Sequence, residues 1–99
     1  MNLVERDIER IRDLCSKHKV GRLFAFGSVL TDSFQNNSDI DFVVDFIGVD
    51  LYDYGDNYFD LKYSLETLFN RDVDLLEDKA ISNPYLRQSI DSTKQQLYG

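Results

Sequence analysis

Apolar side chains recur at helical spacing in three segments of this chain, and each segment is predicted to be a helix. In residues 3–17 they fall on one face: Val4, Ile8, Ile11 and Cys15. Residues 54–70 carry a second stripe of this kind: Tyr58, Leu61, Leu65 and Leu68. A last helix is predicted to begin at Asn83-Pro84, because proline is tolerated in a first turn. Its apolar face carries Leu86, Ile90 and Leu97.

Three shorter segments have the apolar content of strands. Residues 20–26 end in a continuous apolar run, which is typical of a strand covered on both faces. Residues 40–46 and 72–76 are predicted to be the second and third strands. The connecting segments are predicted to be short turns or loops: 29–33 (one or two helical turns), 34–38 and 48–53. Together these elements predict one α+β domain over residues 1–99.

Composition indicates a compact domain without a membrane segment. Hydrophobic residues make up 42% of the 99 positions and include seven Phe and six Tyr, enough for a core. No apolar run approaches the ~18 residues of a membrane span, and the charged N-terminus is not a secretion signal. The single cysteine, Cys15, cannot form an internal disulfide. These features predict a cytoplasmic protein.

The formal net charge of −7 limits the class of partner. It disfavours a broad nucleic-acid surface, because phosphate contacts need clustered Lys and Arg. A nucleotide held through Mg²⁺ is compatible with it, since the metal supplies the positive charge locally. Charge therefore argues against a nucleic-acid interface but not against a nucleotide site.

The most informative stretch joins the first two predicted strands. The first strand breaks at Gly27-Ser28, where glycine lets the backbone approach a ligand and serine offers a hydroxyl and an N–H to phosphate. Asp39 and Asp41 follow, and strand alternation places both on one face. The opposite face is turned into the core: Ile40 and Phe42. Two neighbouring carboxylates repel unless a cation lies between them, and hard oxygen ligands suit Mg²⁺.

This stretch resembles the motif of the nucleotidyltransferase superfamily that includes DNA polymerase β. The motif here reads Phe26-Gly27-Ser28, a spacer of residues 29–38, then Asp39-Ile40-Asp41. As a single short unit, the chain is similar to the minimal nucleotidyltransferases (MNT proteins). The resemblance implies the nucleotidyltransferase fold, a small mixed sheet with adjacent acid-bearing strands and with helices packed on it.

The resemblance also implies a third carboxylate on a neighbouring strand. Val73-Asp74-Leu75-Leu76 matches the family pattern, so Asp74 is the predicted residue. Asp72 is the alternative, because it lies two residues away on the same face. Asp45 shares the face of the Asp-x-Asp pair but lies further along its strand, and we interpret it as peripheral.

The resemblance assigns roles to these residues. Asp39, Asp41 and Asp74 would be the catalytic residues and would bind two Mg²⁺ ions, for which Mn²⁺ could substitute. Gly27 and Ser28 would bind the β and γ phosphates of ATP. The activity implied is transfer of a nucleoside monophosphate, AMP from ATP, with release of pyrophosphate.

MNT proteins often accompany a small helical HEPN protein as a toxin–antitoxin pair, so a HEPN-type partner whose tyrosine hydroxyl accepts AMP is implied. One feature departs from the family pattern. Many minimal members follow Gly-Ser with basic residues, whereas this chain has Val29-Leu30-Thr31-Asp32. The alternative is therefore a catalytically weak or inactive module that neutralises its partner by binding. The sequence leaves self-association open.

Overall fold

A four-stranded sheet with helices packed on it forms the fold in the computed structural model, which describes residues 2–99. The strands are β1 (Val20–Phe26), β2 (Ile40–Phe46), β3 (Val73–Glu77) and β4 (Gln95–Tyr98). The helices are α1 (Leu3–Arg6), α2 (Ile8–Lys17), α3 (Leu51–Phe69) and α4 (Pro84–Thr93). Short 3-10 turns follow β1 and β3, at Gly27–Leu30 and Asp78–Ala80. The predicted α+β class is confirmed.

The strands lie in the order β3-β2-β1-β4. Strand β2 is antiparallel to β1 and parallel to β3, and β4 is antiparallel to β1. A parallel pair needs a crossover connection, which the 19-residue helix α3 supplies between β2 and β3. The register places Phe26 opposite Asp41, and Asp41 opposite Asp74. The sheet is therefore mixed, and the acid-bearing strands are adjacent, as predicted.

The main core lies on the sheet face that α2 and α3 cover. The strands contribute alternate side chains to it, including Leu23, Ala25, Ile40, Phe42 and Val44. The helices contribute the predicted apolar stripes, including Ile11, Cys15, Leu61 and Leu65. Cys15 is fully buried, and this burial raises the pKa of its thiol to about 12. The thiol therefore stays protonated and serves as a small core residue.

The second face of the sheet has a smaller core. Phe24 and Val43 are buried there with Ile90 of α4, and Phe26 and Leu76 pack around them. Because side chains alternate along a strand, the same face carries Asp41 of β2 and Asp74 of β3. The carboxylates thus lie on the less thickly covered side of the sheet. Among residues 2–99, no helix is both long and apolar enough to cross a membrane.

Several predicted boundaries were wrong. The helical turn lies at Gly27–Leu30 instead of 29–33, and the third strand at Val73–Glu77 instead of 72–76. The N-terminal helix is divided at Asp7 into α1 and α2. Helix α3 begins at Leu51, not at residue 54, because the Asp50 carboxylate accepts a hydrogen bond from the Tyr52 N–H at 3.2 Å and caps the helix. The last helix ends at Thr93, and Leu97 lies on β4, where it is buried. Strand β4 occupies the edge of β1, which would otherwise leave its backbone groups unpaired.

Candidate active site

The turn after β1 brings the backbone against a carboxylate. Gly27 has φ +77°, a backbone conformation that residues other than glycine rarely adopt. A Cβ atom at this position would lie 2.5 Å from Asp41 Oδ2, so only glycine leaves room for the carboxylate. Val29 is buried and anchors the turn. Ser28 follows Gly27 directly, and its carbonyl accepts the Thr31 N–H at 2.9 Å.

Two further carboxylates lie near Asp41. Asp41 lies opposite Asp74 in the parallel register, and Asp39 precedes β2 by one residue. The pKa of Asp41 is raised to about 6, first by its burial, then by the negative charges of Asp74 and Asp39. Those two charges lie close enough to disfavour ionisation of Asp41. The structure therefore brings together the three residues that the motif singled out.

The remaining acidic candidates lie elsewhere. Asp72 precedes β3, and its carbonyl accepts the Ile40 N–H at 3.2 Å. Its side chain lines an open groove of about 570 Å³ beside the C-terminal end of α3, and it is not among the charges that raise the pKa of Asp41. Asp45 forms an ion pair with Arg22 at 3.3 Å. The geometry thus favours Asp74 over Asp72 as the third carboxylate.

The donor set is suited to a hard divalent cation. Carboxylate oxygens are the protein ligands that Mg²⁺ prefers, and it completes its shell with water and phosphate oxygens. Within residues 2–99, no three His, Cys, Asp or Glu side chains converge closely enough to make a closed metal cluster. Asp39, Asp41 and Asp74 instead form an open carboxylate group, which fits a metal that takes only one or two protein ligands at a time.

Two residues that the sequence did not single out hold the strands of this site in place. The Glu66 carboxylate of α3 accepts the Val73 N–H at 3.0 Å, at the start of β3. Arg71, in the connection between α3 and β3, donates to the carbonyls of Gln35 and Ser38 at 3.1 Å each. No local pattern marks such contacts, because their partners are backbone atoms 7, 33 and 36 residues away in the sequence.

The fold is that of a nucleotidyltransferase domain. The family described as "Polymerase beta, Nucleotidyltransferase" matches residues 9–99, and the chain belongs to this family. Its members use a nucleoside triphosphate and a divalent metal.

One named relative and two solved structures are similar to this chain over most of its length. A Methanocaldococcus jannaschii protein, provisionally named a protein adenylyltransferase, is 33% identical over 96 residues, which cover 87% of this chain and 93% of the relative. A solved structure provisionally described as a minimal nucleotidyltransferase is 28% identical, with a TM-score of 0.75 over 96% of this chain and 95% of that chain. A toxin–antitoxin crystal structure with AMP-PNP is 26% identical, with a TM-score of 0.73 over 94% of this chain and 73% of that chain.

Proposed function

We propose that this protein is a Mg²⁺-dependent adenylyltransferase that transfers AMP from ATP to a protein hydroxyl and thereby acts as the antitoxin of a HEPN-type toxin. The observation that carries the proposal is the position of Asp41, between the Gly27 turn and Asp74. Support for the partner comes from the similar chain solved in a toxin–antitoxin complex with AMP-PNP, an ATP analogue. The relative named as a protein adenylyltransferase supports the reaction type.

In this proposal the three carboxylates hold Mg²⁺, with Mn²⁺ as a substitute. Asp41 is the central ligand. Asp39 lies two residues before it in the chain, and Asp74 lies opposite it on β3. When bound there, the metal would neutralise phosphate charge and stabilise the charge that develops during transfer. The turn at Gly27 and Ser28 would present its backbone to the β and γ phosphates, because glycine permits a close approach.

The transfer step needs a positioned acceptor. The hydroxyl oxygen of the acceptor forms a bond to the α-phosphorus of ATP. The bond from that phosphorus to its bridging oxygen breaks, and pyrophosphate leaves with the electron pair. Asp74, on the strand beside Asp41, would orient the hydroxyl and accept its proton. This chemistry rests mainly on positioning and charge neutralisation.

A surface on α3 suits a protein acceptor. Three aromatic side chains lie seven and four residues apart on this helix and are exposed to solvent: Tyr52 by 95%, Phe59 by 48% and Tyr63 by 57%. Exposed apolar side chains on one helix face are typical of protein contact surfaces. They support a protein partner whether or not the chain is catalytic.

A non-catalytic antitoxin is the second candidate, and one observation favours it. The turn after Gly27 continues with Val29, which is buried, then with Leu30, Thr31 and the acidic Asp32. No cation is available in this turn to bind a triphosphate. A chain of this kind could neutralise its partner by binding alone.

Co-expression with the HEPN-type partner protein separates the two candidates. Wild type and Asp41→Asn are each expressed with that protein, and mass spectrometry follows a gain of ~329 Da on a tyrosine, one added AMP. A growth assay follows protection. The enzyme proposal predicts that Asp41→Asn loses both the added mass and the protection. Protection without added mass, in wild type as well as in the variant, would contradict it and establish the binding module.

A further inference from the structure

Asp39 differs from the other two carboxylates in how it is held. Asp41 and Asp74 lie within strands, so the ladder of the sheet fixes their backbone. Asp39 precedes β2, is exposed, and follows directly on the loop of residues 31–38. Its position therefore depends on what holds that loop.

The Arg71 side chain ties this loop to the connection between α3 and β3, in addition to the packing of Phe34 against the main core. Arg71 Nη1 donates to the carbonyl oxygens of Gln35 and Ser38, each at 3.1 Å. The Ser38 carbonyl belongs to the peptide group that links Ser38 to Asp39. The guanidinium also lies over the Phe34 ring, 4.5 Å from its centroid. Arg71 thus contacts the loop at three residues, and one of these contacts, to the Ser38 carbonyl, directly adjoins Asp39.

Backbone hydrogen bonds hold the connection between α3 and β3, from which the Arg71 side chain extends. Asn70 ends α3 in the left-handed conformation, and its N–H donates to the Glu66 carbonyl. The Arg71 N–H donates to the same carbonyl at 3.4 Å, and the Glu66 carboxylate accepts the Val73 N–H. Arg71 therefore extends from a fixed connection that leads directly into β3 and Asp74.

We propose that Arg71 is a positioning residue for the metal site, because it fixes Asp39 relative to Asp41 and Asp74. The inference rests on the proposed function, in which these carboxylates bind the metal. Without the guanidinium, the turn closed by the Ser38 N–H and the Gln35 carbonyl at 3.0 Å can persist, but its link to the connection before β3 is lost. Asp39 is then held only from its C-terminal side, where the Ile40 N–H donates to the Asp72 carbonyl at 3.2 Å.

The test is a double-mutant cycle on metal affinity. Mn²⁺ binding in the presence of AMP-PNP is measured by calorimetry for wild type, Arg71→Met, Asp39→Asn and the double variant. Methionine keeps an apolar stem against Phe34 and removes the donors. Loss of a residue that orients a metal ligand typically weakens affinity about 10- to 100-fold, and we expect about 10-fold for Arg71→Met. In the Asp39→Asn background, Arg71→Met should add nothing, because its effect acts through Asp39.

Two controls keep the result specific. Arg10→Met makes the same change at an exposed position of α2 and should leave Mn²⁺ affinity unchanged. Arg71→Lys retains the charge and one donor, so it should weaken binding less than Arg71→Met, and it replaces that variant if Arg71→Met does not fold. Circular dichroism checks the fold of each variant.

Each outcome decides the role of Arg71. The positioning role would be overturned if Arg71→Met left the Mn²⁺ affinity unchanged. It would also be overturned if Arg71→Met lowered the Mn²⁺ affinity equally in the Asp39→Asn background. The proposed function would stay intact in both cases. Wild type that binds no Mn²⁺ in the presence of AMP-PNP would overturn both. A loss confined to the background that retains Asp39 supports the proposal.

Discussion

Two carboxylates on neighbouring parts of the sheet are held in opposite ways. Asp41, at the start of β2, is partly buried beside Asp39 and Asp74, and its pKa is raised to about 6. Asp78, just after β3, accepts a hydrogen bond from Arg87 Nη1 at 2.7 Å. That bond, which outweighs burial, lowers the pKa of Asp78. The charge of Asp78 is balanced by Arg87, whereas the charges that shift the pKa of Asp41 are both negative.

The difference indicates what each carboxylate is for. Arg87 also donates to the Asp78 carbonyl, so the pair fastens α4 to the end of β3. Asp41 has only negative neighbours among the charges that shift its pKa, an arrangement that destabilises the folded protein when Asp41 is ionised. Unbalanced charge of this kind is typical of functional sites.

The largest expected effect is on transfer and metal binding. Asp41→Asn should lower the rate of AMP transfer by about 10³-fold or more, because metal charge stabilisation provides several kcal/mol and each ~1.4 kcal/mol is a factor of ten. Asp78→Asn, which removes the same charge outside the site, should leave the rate within about twofold of wild type. Purified protein, labelled ATP and the partner protein provide the measurement. Equal losses in both variants would show that Asp41 has no special role.

A smaller effect is expected when glycine at the turn is changed. Gly27→Ala should lower the free energy of unfolding by about 2 kcal/mol, since a positive φ disfavours alanine and its Cβ would meet Asp41 Oδ2. Gly55→Ala is the matched control: it lies within α3, and no atom lies within 4 Å of the added Cβ. It should stabilise the protein by about 0.5–1 kcal/mol, because alanine favours a helix. Urea denaturation of both variants measures this contrast, and equal signs would reject the close approach at Gly27.

Much of the fold followed from local patterns. The apolar stripes of α2 and α3 and the alternation of Ile40 and Phe42 depend only on the period of each element, so the sequence revealed them. The motif also predicted that Asp39, Asp41 and Asp74 would meet. Strand β4 was missed, because Gln95–Tyr98 is short and half polar and becomes a strand only by pairing with β1. The contribution of tertiary pairing is absent from a local pattern.

Contacts across the chain were equally hidden. Arg71 directly follows the predicted helix of residues 54–70, yet its partners are carbonyls 33 and 36 residues away. The early start of α3 depends on a cap whose signal, Asp50 before Leu51, was present in the sequence but was assigned to a loop. The family pattern favours Asp74 but leaves Asp72 as an alternative, because both residues share a face in a strand taken alone. The register of β2 with β3 places Asp74 opposite Asp41.

The smallest expected effect, and the most direct test of the contrast between Asp41 and Asp78, is the pH dependence of stability in metal-free protein. The folded state raises the pKa of Asp41 to about 6, well above its value near 4 in the unfolded chain. Its favourable contribution is therefore complete below about pH 4 and is lost as the pH rises through about 6. For Asp78 the sign is reversed, because a lowered pKa contributes stability above about pH 4 that disappears as the pH falls.

The two asparagine variants should consequently diverge at neutral pH and converge in acid. At pH 7, Asp41→Asn should have a free energy of unfolding about 1 kcal/mol above wild type; solvent around the partly exposed carboxyl reduces the gain below what the full shift would give. Asp78→Asn should be about 1 kcal/mol below wild type, since it loses the bond to Arg87. The difference for Asp41→Asn should disappear by about pH 4, whereas that for Asp78→Asn should persist at pH 4 and shrink only below it. Urea denaturation from about pH 2.5 to 7.5 with a chelator measures both differences. If Asp41→Asn tracked wild type at every pH, the carboxylates would not be repelling one another, and the unbalanced charge at this site would be absent.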